Sequence, residues 1–305
     1  MRDVIKQFSV VVVAGLLAIP AANWAVHGLE SPDGLIGVPI TLSASPISAS
    51  IHLAIALIWF ALLAYAVGKF THRYTGALVF GLAMTLIARR GIDAGQLVRH
   101  LDTFNISPMK TYLLFTVESL ALTIPSLMIL FALAKNTSTR YEDEQGRFDP
   151  LSIKGMVVGS FLGLISCWVM VPTDNKGQAV FGIMAGCALT ATIIRLMWPV
   201  CNGSVLFIIP VIVAVVGSIS SAFIMNSDII NKMTSDTIWP LARPMPIDFI
   251  GAGIAGIAIG IGLARSFGAE EVTDEMATIN VDNPTDHQSD HSVKIRRAAE
   301  NAETA

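Results

Sequence analysis

Residues Leu196 to Ser227 read LMWPVCNGSVLFIIPVIVAVVGSISSAFIMNS, and no Asp, Glu, Lys or Arg interrupts them. A hydrocarbon core about 30 Å thick needs roughly 20 helical residues to cross, because an α-helix rises about 1.5 Å per residue. This stretch is long enough, and others match it. Gln7 to Val26 and Gly155 to Thr173 are also free of charge. Hydrophobic residues make up 53% of the chain and charged ones 14%, whereas a soluble domain of this size would return a charge every few positions. Helices and closed barrels alone satisfy every backbone N–H and C=O inside lipid. Barrel strands would alternate over about ten residues, and these runs are longer and do not alternate. The fold class is therefore all-α, a polytopic helical membrane protein.

Working outward from that stretch, about eight transmembrane helices are expected, near 8–26, 51–69, 74–89, 111–134, 153–172, 177–198, 204–225 and 247–266. Lys and Arg concentrate in the segments that share a side with the termini, and the first opposite loop, Gly28 to Ser50, has none. That asymmetry places both termini in the cytoplasm. Residues 1–267 form the bundle, and 268–305 form an acidic, largely disordered cytoplasmic tail with nine acidic and three basic residues. Arg2 and Lys6 before an apolar run resemble a signal peptide, but Pro20 to Trp24 is a poor cleavage site, so the first span is read as uncleaved. The third span is marginal. Tyr74 to Ala88 gives only about 22 Å of helix between Arg73 and Arg89. After it, Leu97, Leu101 and Phe104 recur at helical spacing among Arg99, His100 and Asp102, which suggests an amphipathic helix lying on the membrane surface.

Glu118 is the one ionisable residue clearly inside a span, about seven residues or roughly 10 Å into the fourth. A carboxyl group at that depth normally faces a cavity or a partner. Matching by depth gives an intramembrane polar site of Glu118, His52 and Arg90. Helical geometry argues for a structural role instead. Thr116, Ser119, Thr123 and Ser126 share one face, and Glu118 points about 120° away from it. Pro125 frees the carbonyl of Ala121 one turn further on. In the last span Gly253, Gly256 and Gly260 line one face, with Gly251, Ala255, Ala258 and Gly262 opposite. Small residues let helix backbones approach, so this helix is clasped on both sides, or on one side with a second subunit on the other.

Catalytic signatures are missing: the chain has no HExxH and no GxSxG. His27, Glu30, Asp33 and His52 match no metal-ligand spacing, and Cys167, Cys187 and Cys201 form no CxxC. No metal is expected, and no cofactor, because the spans carry no His pair for a haem and no nucleotide loop. Nucleic acid is excluded as a partner for want of a basic stripe interleaved with aromatics. What remains is a multi-pass integral protein of a plasma or inner membrane. The first reading is a non-catalytic subunit or scaffold, with a membrane-protein partner or a homo-oligomer formed through the last helix. A transporter or channel-like protein using Glu118 comes second. A membrane enzyme working at the lipid surface through Arg89 to Asp102 comes third.

Overall fold

The computed structural model describes residues 2–137, 150–173, 175–199, 201–225, 232 and 238–267. The acidic tail, and residues 138–149, whose Arg140 and Arg147 count toward the orientation, lie outside the described residues. Nine α-helices are described: α1 Arg2–Gly28, α2 Pro46–Phe70, α3 Arg73–Arg89, α4 Ala94–Thr103, α5 Pro108–Thr137, α6 Pro150–Met170, α7 Lys176–Met197, α8 Ile209–Ile224 and α9 Pro246–Ser266. Among the described residues there is no strand. Proline opens α2, α5, α6 and α9. Its fixed φ suits a first helical position, where its missing N–H would have had no partner anyway.

Seven helices are long and apolar enough to cross a membrane. The chain is an all-α polytopic membrane protein. The eighth pass is the marginal one: α3 and α4 together form a pair bent by 48°. Close contacts at its two ends show that α3 nevertheless traverses the bundle. At one end Gly76 lies against Gly68 of α2, and at the other Gly91 lies against Gly37 of the first loop. The described bundle therefore has two faces. The base holds the α2–α3 link and the end of α9. The cap holds the first loop, α4 and the link into α9.

The middle of the bundle is α9. It packs on α3 and α7, and also touches α5 and α8. A Cβ at Gly256 would strike the Met184 carbonyl oxygen, and one at Gly260 the Ala188 carbonyl oxygen, both on α7, while Gly253 faces Pro210. On the opposite side Gly251 meets Met84 of α3, and Gly81 of α3 meets Ala255. The Gly253 face is thus occupied by α7 and α8, and the opposite face by α3 as far as Ala255, while Gly262 has nothing within 4 Å. Large apolar side chains such as Ile51, Ile58, Leu62, Phe161 and Phe223 are exposed instead on the outer helices, where lipid would meet them.

A second, smaller core lies at the cap. Val38 and Leu42 of the first loop, Leu97 and Leu101 of α4, Tyr112 of α5 and Met245 pack together there. This corrects the expectation that α4 lies on the membrane surface. Its apolar stripe is covered by the chain itself, and of the three residues that suggested it only Phe104 is exposed. The helix is well begun: Asp93 accepts from the Gln96 amide at 2.7 Å and Gln96 returns the bond at 3.2 Å.

Candidate functional site

The cap is tied to the bundle by one turn of 3₁₀ helix, Ile40–Leu42, whose leading N–H groups have no partner within the turn. Glu118 supplies one from α5. Its Oε1 accepts from the Ile40 amide at 3.1 Å, and its Oε2 accepts from the Thr41 amide at 3.3 Å and the Thr41 hydroxyl at 3.2 Å. The side chain is buried. Matching by depth offered His52 and Arg90 as partners for Glu118, and the structure gives it backbone from a loop that folds inward.

The loop reaches it because Gly37 adopts φ +80° and presses on the Arg90 carbonyl, 2.6 Å from where a Cβ would stand. The Gly37 carbonyl in turn accepts from the Ile92 amide at 3.2 Å. A side chain here would meet both a strained φ and a backbone wall. A turn of the same kind, Pro240–Ala242, precedes α9. Tyr112, six residues before Glu118 on α5, donates its hydroxyl to the Ala242 carbonyl at 3.0 Å. The cap-side half of α5 is therefore fastened to two turns, one on each of two faces.

His52 and Arg90 occupy other places. The His52 Nδ1 lies 2.8 Å from the Ser48 carbonyl oxygen, and its ring is 4.3 Å from that of Trp24, so it joins α2 to α1. Arg90 is exposed and meets the loop through its backbone. Of the three, Glu118 alone lines the small cavity at this point, together with Ile40, Leu122, Lys176 and Met245. The cavity has about 10 Å³ for a water centre, the room of a single water molecule.

Lys176 is a residue that the sequence did not single out. It opens α7, and its Nζ lies 2.6 Å from Oδ2 of Asp248, which is fully buried. The same oxygen accepts from the Met245 amide at 2.6 Å. Asp248 thus caps α9 and binds α7 to it. The signal was present in Pro246-Ile247-Asp248, a proline at the first helical position and an acid two residues later. Asp33 pairs with His100 of α4 at 3.1 Å. The Ser31 hydroxyl, and to a lesser degree His100, hold the Asp33 carboxyl below the usual carboxylate range against a partial opposing effect of burial.

Several other polar groups inside the helices are used locally. Thr123 and Ser126 return their hydroxyls to the Ser119 and Leu122 carbonyls at 2.6 and 2.8 Å. Arg195 donates to the Cys201 carbonyl at the base. Cys167 and Cys187 are buried with their sulfurs 4.0 Å apart. No family model, no curated protein and no solved structure matches the chain.

Proposed function

We propose that this chain is a non-catalytic subunit or scaffold of a membrane complex, a closed bundle that holds a folded cap in place for a partner to recognise. One observation carries the reading: the carboxyl group of Glu118 is occupied by the Ile40–Leu42 turn, beside a cavity with room for one water. A conduction path would need that carboxyl to face a wetted route. The membrane is a plasma or inner membrane on this reading, and the partner is another membrane protein.

The test is water access. With Cys167, Cys187 and Cys201 replaced and Glu118→Cys installed, cells are exposed to a membrane-impermeant maleimide, with control cysteines in the first loop. We expect no labelling at 118, and a second membrane protein co-purifying with the native chain in mild detergent. Labelling at 118 as fast as at the control cysteines would overturn the reading, since a turn loosened by the loss of the carboxyl still opens only transiently. It would favour the second one, a small-solute or ion transporter, which has one observation behind it: Lys176 and Glu118, opposite in formal charge, line the same cavity.

A further inference from the structure

Three groups with hydrogen-bonding capacity to spare meet around the small cavity under the cap. The two oxygens of Glu118 offer about four acceptor positions. The Ile40–Leu42 turn fills one on Oε1 and two on Oε2. Lys176 is the second group. Its side chain is only 10% exposed, and one of its ammonium hydrogens goes to Asp248 at 2.6 Å. Among the described residues its other hydrogens have no partner, and it forms no ion pair with Glu118. The third group is the Gly37 carbonyl, which accepts from the Ile92 amide and can accept once more.

Gly91 is the reason these groups share a space. The point where its Cβ would stand lies 3.3 Å from Lys176 Nζ and 3.0 Å from the Gly37 carbonyl oxygen. With no side chain there, the ground between them stays open. Gly37, Gly91, Glu118 and Lys176 all line the cavity that results. Cavities that stay empty are apolar, whereas a polar one fills when it has room for one probe sphere, roughly 10–15 Å³, and two to four partners for the water. This cavity has about 10 Å³ and polar groups from three residues.

We propose that this cavity is a binding site for one structural water, which accepts from Lys176 Nζ and donates to Glu118 Oε1 and the Gly37 carbonyl. Charge and size decide the occupant. A metal cation would stand beside the ammonium, an anion would stand beside the Glu118 carboxyl, and nothing larger than water fits. A bridging water is nearly as good as a direct hydrogen bond. It closes a chain from the Ile40–Leu42 turn through Glu118 and Lys176 to Asp248 and the Met245 amide. The cap is then held by the junction of α7 with α9 as well as by α5. The inference rests on the placement of Glu118 that also carries the scaffold reading, and it needs no scaffold role.

The direct test is a structure of the full chain in lipid nanodiscs that shows ordered water. We expect one water within hydrogen-bonding distance of both Lys176 Nζ and Glu118. An empty cavity would overturn the site, as would Nζ bonded straight to the Glu118 carboxyl; either would leave the scaffold reading standing, since the turn still covers Glu118. Hydrogen–deuterium exchange tests the link. The background is Asp248→Asn, so that no buried charge is stranded. There Lys176→Met should speed exchange across 38–44 roughly fivefold, the worth of one hydrogen bond. With Glu118→Leu also present, Lys176→Met should add nothing further, because the chain it breaks is already cut. Unchanged exchange in the first case, or an additive effect in the second, would overturn the bridge.

Discussion

Replacing Glu118 by Leu keeps the bulk of the side chain and removes both oxygens. The Ile40 and Thr41 amides then lose their acceptors, while the Thr41 hydroxyl can turn elsewhere. A buried donor left unsatisfied costs about 1–3 kcal/mol. Both residues are half-buried, so the lower end applies, and the pair should lose about 2 kcal/mol. Local opening of the turn then becomes roughly 30-fold more frequent. Hydrogen–deuterium exchange in detergent reads this directly: peptides covering 38–44 should exchange faster by that factor, while the middle of α9 stays unchanged. Glu118→Gln keeps one acceptor oxygen and should fall between. Unaltered exchange at Ile40 and Thr41 in the Leu variant would refute the argument that Glu118 holds the cap.

Further outcomes follow from the same contacts. Lys176→Met strands Asp248 in the interior, and breaking a buried pair in this way costs about 3–5 kcal/mol; thermal unfolding should show a large drop that adding Asp248→Asn partly restores. Gly256→Ala drives a Cβ into the Met184 carbonyl and should lower stability by about 1–3 kcal/mol. Gly262→Ala, with nothing within 4 Å, should unfold like the native chain. Burial, and then the charges of Arg265 and Arg73, push the His72 imidazole down to about 4. The unfolded chain takes up a proton below about 6.5 and the folded one only near 4, so stability falls as pH drops through that window. Melting temperatures at pH 7.5 and 5 should differ less for His72→Gln than for the native chain.

The spans were legible because lipid sets their length and polarity, and a stretch such as Leu196 to Ser227 leaves few alternatives. The starts were less so. Hydropathy began the second and fourth spans at residues 51 and 111, whereas the helices begin at Pro46 and Pro108, since proline opens a helix without being strongly apolar. The site was half legible. An acid within a span announces itself, so Glu118 was found. Its partners were backbone amides, which no side-chain pattern records, and the loop that brings them depends on the φ of Gly37. Arg90 was matched to Glu118 by depth alone. Depth orders residues along the bundle axis and leaves open which way each side chain turns around it. The α4 stripe was read correctly as amphipathic, yet an amphipathic helix covers a protein core as readily as a membrane.

The central position of α9 bears on how the chain is made. A ribosome delivers α3 and α7 before α9, and the surfaces they will give it must wait. Ala188 and Met184 on one side and Met84 on the other then face lipid or each other until residues 246–266 emerge. At about 5–20 residues per second, the wait between α3 and α9 is on the order of ten seconds. The earlier helices can insert one by one, but their final spacing is set only when a strip of glycine and alanine slides between them. The bundle closes like an arch, with its keystone placed after the other stones.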